Sequence, residues 1–402
     1  MSYKLPIGPI HPALKEPVSF TFNIEGERII DAEPNIGFAH RGVEKLYEGK
    51  SWFQALQLSP KTCGICPVTH QSTMVRVAEG VFEKEPTERA KYIRTILQEI
   101  SRIQSHLLWL GVLGHEIGFD TLFMYTWRDR ERFIDLVEEI TGKRVAFGNN
   151  TIGGVRRDIK EETIPKIKNA ISYLRKRLKE YSELATTEKT ILKRARSVGV
   201  LDKSTAIELG TVGPTARASG VKKDVRHEED FDMYGPSPYH IVTMDSGDAL
   251  AKTIVRVKEM EVSADIVEWC LENMPEGDIN LGLKKVQKPP GGNVAVSRSE
   301  APRGELFYYA RSDEKGNIGR VKVRTPTLAN ILSILDMVKG GFVADIPVVV
   351  ASIDPCIGCM DRVLIVDETK NETKVMKHEE LLHYAQKWFK NHEEIVDNRV
   401  RR

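Results

Sequence analysis

The sequence predicts an α+β fold in which a central bundle of long helices is flanked by small β-sheets. Three observations carry this. Ile93, Ile96, Leu97, Ile100, Ile103, Leu107 and Leu110 recur at the i, i+3, i+4 spacing of a helix. Helix-periodic stretches follow at about 121–141, 160–185 and 247–273. Strand-like segments sit toward both ends: Val18 to Ile24 and Arg28 to Ala32 early, Gly304 to Ala310 and Val321 to Arg324 late.

Residues 1–60 read as strands and turns, an N-terminal β-rich region. The run Pro6-Ile7-Gly8-Pro9-Ile10-His11-Pro12 is neither helix nor central strand, because its prolines fix φ and remove donors. The first alternating pair reads as a hairpin turning at Gly26. Thr87 is placed to cap a helix running to about Leu113. The helix at 160–185 is laced with Lys, Arg and Glu, so one face is solvated. Gly153-Gly154, Gly213-Pro214 and Gly291-Gly292 break the helical core. A short helix is expected at Leu328 to Val338, and the apolar run Ile346 to Ile353 reads as a buried strand. Residues 61–362 make up the helical core. Residues 363–402 add a strand at Val363 to Val366 and an amphipathic helix from about His378 to Asn391. There is no internal repeat and no low-complexity segment.

A chain of 402 residues with 41% hydrophobic and 29% charged residues can bury a sizeable core. Its apolar runs fall far short of the ~20 residues that span a bilayer. No charged-then-apolar leader opens the sequence, so a cytoplasmic location is expected, with membrane contact only through partner subunits. With 59 basic and 57 acidic residues intermixed, nothing forms the one-sided basic stripe of a nucleic-acid binder. No Gly-rich dinucleotide fingerprint is present. Five cysteines in a reducing compartment do not make a disulfide scaffold.

Four of those cysteines form two Cys-x-x-Cys turns: Cys63-Gly64-Ile65-Cys66, with His70 four positions on, and Cys356-Ile357-Gly358-Cys359 after Asp354-Pro355. Thiolates are soft ligands, and two such turns supply a tetrahedral set for zinc, nickel or an iron–sulfur cluster. A structural zinc knuckle, a redox pair and an all-thiolate cluster are the alternatives at this level. Knuckle halves usually lie a few tens of residues apart, unlike these, and no β-α-β context suggests a redox pair. Cys270, in Glu268-Trp269-Cys270-Leu271, falls on an apolar helical face and reads as core.

Taken together, the two cysteine turns, His70 and Glu300-Ala301-Pro302-Arg303-Gly304 resemble the large subunit of [NiFe]-hydrogenases. Gly8-Pro9-Ile10-His11-Pro12 and Gly153-Gly154-Val155-Arg156 place the resemblance in the membrane-bound, energy-converting branch, homologous to the 49-kDa subunit of respiratory complex I. The resemblance covers nearly the whole chain. It implies the helical bundle with small sheets, and a nickel held by Cys63, Cys66, Cys356 and Cys359, with Cys66 and Cys359 bridging to iron. It implies that Arg303 sits over that iron, that Glu16 serves as a proton relay, and that His70 bonds a cysteine sulfur.

The sequence also departs from that family. Pro60-Lys61-Thr62 stands where hydrogenases of this branch carry Glu-Arg-x, which removes an acid and a rigid guanidinium fork. Hydrogenase large subunits are trimmed after the last cysteine once nickel is bound, here near Arg362, and a chain reaching Arg402 is expected to be immature or metal-free. Lys15 stands about where complex I has its quinone-contacting histidine, and complex I lacks the cysteine pairs. The archaeal membrane-bound sulfane sulfur reductase is similar on these points. The leading expectation is therefore a catalytic-type subunit reducing sulfane sulfur or polysulfide, its four cysteines, Arg303, His70 and Glu16 lining a cavity without a NiFe centre. The implied partners are a small [4Fe-4S] subunit, antiporter-like membrane-arm subunits and ferredoxin as donor. A [NiFe]-hydrogenase and a zinc-stabilised scaffold subunit are the alternatives.

Overall fold

In the computed structural model, residues 2–284, 287–360, 366–367, 372–373 and 378–391 are described. Met1–Asp361 forms one compact unit and Arg362–Arg402 a second. The first unit opens with an antiparallel sheet of β1 (Ser2–Ile7), β2 (Ser19–Glu25) and β3 (Arg28–Asn35), in that order. β2 alternates strictly, burying Phe20, Phe22 and Ile24, and Gly26 turns the hairpin at φ +60°.

The reading of residues 1–60 as strands and turns is corrected at α1 (Val43–Tyr47) and α2 (Trp52–Leu58). α2 starts from a capping box: the Ser51 hydroxyl accepts from Gln54 N, and the Gln54 side chain accepts from Ser51 N. α3 (Pro67–Phe82) is buried on nearly every side, so it lacks the polar face that periodicity detects.

α4 (Glu88–Ile117) begins after Thr87 as expected and runs one turn past Leu113, but the Thr87 hydroxyl makes no capping bond; it packs against α5 (Asp120–Thr141). A two-strand turn, β4 (Asn150–Thr151) and β5 (Gly154–Val155), precedes α6 (Ile164–Thr187). Short helices α7 (Lys189–Ala195), α8 (Lys203–Glu208), α9 (Gly213–Arg217) and α10 (Val225–Glu228) lead to α11 (Ala249–Asn273), which packs on α4 and α6. The apolar faces of α4, α5, α6 and α11 make one continuous core, and Cys270 lies within it.

β6 (Val294–Ala301), β7 (Gly304–Ser312) and β8 (Ile318–Arg324) form a second antiparallel sheet against α3. Ala301 pairs with Gly304, so Pro302-Arg303 is the tip of a two-residue hairpin. The short helix expected at Leu328 to Val338 is two, α12 (Pro326–Asn330) and α13 (Ser333–Val338).

The buried strand expected at Ile346 to Ile353 is instead a helix, α14 (Ile346–Ser352). Pro347 in its first turn favours helix entry, and burial of its valines against α4 and α11 outweighs their β-propensity. In the second unit, β9 (Val366–Asp367) pairs with β10 (Glu372–Thr373), and α15 spans His378–Asn391. The strand expected at Val363 to Val366 lies outside the described residues except for Val366. No described helix is long and apolar enough to cross a membrane.

Candidate functional site

The two Cys-x-x-Cys turns reach one point from opposite ends of the chain. A 3₁₀ turn at Ser59–Lys61 leads into Cys63, and Cys66 caps α3. After α14, Asp354 adopts φ +57°, turning Cys356 inward, where its N–H donates to Thr327 Oγ1 at 3.0 Å. Ile357–Cys359 then closes a second 3₁₀ turn. Cys63 Sγ lies 2.9 Å from Cys66 Sγ and 3.4 Å from Cys356 Sγ, while Cys359 Sγ donates to the Cys356 carbonyl at 2.9 Å. All four are only 2–4% exposed.

The contacts polarise the cluster. Hydrogen bonds from Cys356 and Cys66 pull the Cys63 thiol well below its ordinary range against burial. Cys66 is pushed well above that range by its bond to Cys63 and by burial, and Cys356 by its contacts with Cys359 and Cys63 and by burial. Negative charge therefore gathers on Cys63. Four enclosed soft donors fit a thiophilic metal centre.

Arg303, at its hairpin tip, donates from Nε to the Asp354 carbonyl at 2.7 Å and from Nη2 to Asp354 Oδ1 at 2.6 Å. Nη1 reaches Ser105 Oγ on α4 at 3.4 Å. Burial disfavours the charge, but Asp354 and then Cys356, Cys66 and Cys63 outweigh it and hold Arg303 above its ordinary value. Burial also raises the Asp354 carboxyl, against Arg303 and Arg256. The tip needs glycine on both sides of its contact with α9. Gly304 stands at φ +128°, and a Cβ there would come within 2.7 Å of Gly213 N.

His70 lies one turn into α3, fully buried, with Nδ1 2.8 Å from Tyr308 Oη and its ring near enough to Cys63 to help lower that thiol. One ring nitrogen and the sulfurs of Cys63 and Cys66 lie within 4.8 Å of one another. Glu16, half-buried after the Gly-Pro-x-His-Pro loop, accepts from Ile357 N at 2.5 Å and Gly358 N at 3.2 Å. Burial pushes its carboxyl above the ordinary range against those two donors. The structure thus brings together all seven residues expected at the site.

It adds others that no motif pointed to. Arg41, in the loop before α1, donates to Lys61 O at 3.3 Å, to Thr62 O at 2.7 Å and to Gly358 O, tying the two cysteine turns together. Its only trace in the sequence is an arginine beside a glycine in a turn. Lys61 is exposed, and Thr62 Oγ1 meets Tyr47 Oη at 3.4 Å. Pro60-Lys61-Thr62 thus forms the approach to Cys63 with the Lys61 side chain exposed.

Two cavities meet at Glu16. One, of about 220 Å³, is walled by Leu14, Val18, Phe20, Leu108, Trp109 and Val112 and reaches Arg303 and Asp354. Lys15 also lines it and pairs with Glu116 at 2.6 Å. The other, of about 350 Å³, runs past His40 and Arg41 onto Cys63 and Cys356. Behind the site, α11 aligns Lys252, Arg256, Glu259 and Ser263 on one buried face. Glu259 accepts from Arg217 at 2.8 Å and bonds His106 Nε2 at 3.1 Å. Burial drops Lys252 to about 7.

Comparison with known proteins shows the family. The family model for the respiratory-chain NADH dehydrogenase 49 Kd subunit matches residues 116–297 and 280–362, and that for nickel-dependent hydrogenase matches residues 41–161. The membrane-bound hydrogenase subunit alpha of Pyrococcus furiosus is 42% identical over 91% of this chain and 89% of its own. An NADH-quinone oxidoreductase subunit of Dehalococcoides mccartyi is 36% identical over 90% of this chain and 98% of its own. Among solved structures, a chain of the membrane-bound sulfane sulfur reductase, an archaeal respiratory membrane complex, is 32% identical, with a TM-score of 0.85 over 90% of this chain and 98% of that one. These relatives are subunits of multi-subunit complexes, and two carry "membrane-bound" in their names. The chain belongs to the family that unites the large subunits of membrane-bound hydrogenases with the 49-kDa subunit of respiratory NADH dehydrogenase.

Proposed function

We propose that this chain is the large, catalytic-type subunit of an energy-converting membrane-bound hydrogenase complex. The observation that carries the reading is the convergence of four buried thiols from both ends of the chain beside Arg303. Cys63, Cys66, Cys356 and Cys359 would hold a NiFe centre, which when bound supplies the redox chemistry of hydrogen. Arg303, fixed by Asp354, offers a guanidinium to anionic groups at the centre. Glu16, between the cavities and with a raised pKa, accepts and releases a proton beside the sulfurs. The 42% identity to a membrane-bound hydrogenase subunit supports the same reading. Electrons come from reduced ferredoxin through a [4Fe-4S] cluster in a small partner subunit, and antiporter-like subunits pump ions. The chain sits peripherally on the cytoplasmic side.

A second reading, sulfane sulfur or polysulfide reduction without a NiFe centre, is favoured by the apolar cavity ending at Arg303. A sulfur chain is apolar along its length and anionic at its end, and it needs a volume that a proton does not. Cleaving its S–S bond takes two electrons from the partner cluster and two protons, giving two thiol groups. The solved sulfane sulfur reductase, 32% identical, supports this reading. Elemental analysis and product assay of the purified complex separate the two. Stoichiometric nickel with hydrogen evolution supports the hydrogenase; a nickel-free complex releasing sulfide from polysulfide overturns it in favour of the reductase.

A further inference from the structure

The short helix α12 touches two separate parts of the site. Pro326 opens it, and Thr327 and Asn330 are both buried. The Asn330 amide bonds two backbone segments remote from it in sequence. Its Oδ1 accepts from Val212 N at 2.9 Å, and its Nδ2 donates to Val212 O at 3.1 Å and to Arg303 O at 3.4 Å. An amide offers an acceptor and two donors, so every part of this one is used; aspartate and leucine, similar in shape, offer one kind or neither. Val212 precedes α9, where Gly213 packs so closely that a Cβ would come within 2.3 Å of Arg303 O. Asn330 therefore completes the seat of the Arg303 hairpin tip. Thr327, three positions earlier in the same turn, accepts the Cys356 N–H at 3.0 Å. Arg303 in turn bonds Asp354, two residues before Cys356. These contacts close a ring from α12 to the tip, from the tip to the Cys356 loop, and from that loop back to α12.

We propose that Asn330 and Thr327 are positioning residues of the site, through which α12 holds the Arg303 tip and the Cys356 loop at a fixed separation. The proposal rests on the reading that Arg303 serves the chemistry at the thiols, and it adds what sets the distance between them. Both side chains act on backbone groups, so replacing them displaces Arg303 or the loop without altering the charge of either. A misplacement of about 1 Å at a reacting centre can cost about 10²-fold in rate.

The test compares Asn330→Asp, Thr327→Val and Thr327→Ser in the purified complex, each alone and combined with Arg303→Lys, with circular dichroism and metal content measured for every variant. Asn330→Asp keeps the shape and the acceptor for Val212 N but turns an oxygen toward two carbonyls. Turnover, read as hydrogen or sulfide release, should fall about 10- to 100-fold at unchanged metal content. Hydrogen exchange over residues 301–304 should quicken about 10-fold, as loss of a hydrogen bond does. Thr327→Val should also slow turnover, and Thr327→Ser, which keeps the hydroxyl, should restore most of it. In the Arg303→Lys background Asn330→Asp should cost less than about 2-fold, because the guanidinium it positions is gone. If Asn330→Asp fails to fold, the Thr327 pair carries the same cycle. Equal falls in both backgrounds, or folded variants with wild-type turnover, overturn the proposal and leave the reading of the site intact. Wild-type turnover in Arg303→Lys alone overturns that reading of Arg303 and the proposal with it.

Discussion

Arg303 grips Asp354 twice, through the backbone carbonyl at 2.7 Å and the carboxylate at 2.6 Å. The pair joins the β6–β7 hairpin to the loop carrying Cys356, so the cationic group and the second cysteine turn hold one another in place. Both members are buried, and removing one leaves the other's charge uncompensated. Asp354→Asn tolerates the φ of +57° but removes the carboxylate charge. It should cost about 3–5 kcal/mol in urea unfolding. Arg303→Lys should cost less, because the ammonium keeps the positive charge beside Asp354 and loses only the bidentate fork.

Arg41 spans the two cysteine turns from a loop remote from both in sequence. Arg41→Ala should weaken cadmium or nickel binding about 10-fold, as loss of a group that positions ligands does, with little change in the urea midpoint. Arg41→Lys should recover part of the affinity. Competition against a chelator of known affinity gives the measurement. Affinity unchanged in Arg41→Ala would show that the turns hold together without it.

The His106–Glu259 pair sets a pH signature. Burial drops His106 from 6.5 to about 4, against the pull of Glu259. Between these values the unfolded chain binds a proton that the folded chain does not, so stability falls as pH falls through this window. The slope from this one group is at most about 1.4 kcal/mol per pH unit. His106→Gln can still donate to Glu259, and it should flatten the stability profile between pH 6.5 and 4. Urea midpoints measured across that range decide it.

Glu16→Gln removes the titrating proton beside the thiols, and its one amide oxygen can accept from only one of the Ile357 and Gly358 N–H groups, which bond separate oxygens of Glu16. Turnover should fall about 10²- to 10⁴-fold with metal content unchanged. Equal loss of metal and turnover would mark Glu16 as a support for the second cysteine turn and not a proton carrier.

The Gly304–Gly213 contact positions Arg303 without touching it chemically. Gly304→Ala forces a Cβ to within 2.7 Å of Gly213 N at a φ few other residues adopt. It should cost about 1–3 kcal/mol. The same change at Gly26, whose Cβ would meet nothing, should cost less. Thermal or urea unfolding of both variants gives the comparison.

Local chemistry was enough to read much of this protein. The N-terminal hairpin, α4, α5, α6, α11 and α15 follow from period and turn residues, because each element has a polar face or a terminal signal, although Thr87 makes no capping bond to α4. The cysteine motifs, with Arg303 and the Gly-Pro-x-His-Pro loop, identified the family, because such spacings are rare without a site to build. Elements that lack those signals escaped. α3 is buried all round, and the valine-rich α14 reads as a strand until its neighbours are known. The meeting of Cys63 with Cys356, the tie made by Arg41 and the bond between His70 and Tyr308 were decided only by tertiary structure. Each depends on residues far apart in the chain, brought together by the core packing of α3, α4 and α14, and local preferences carry no record of such distances.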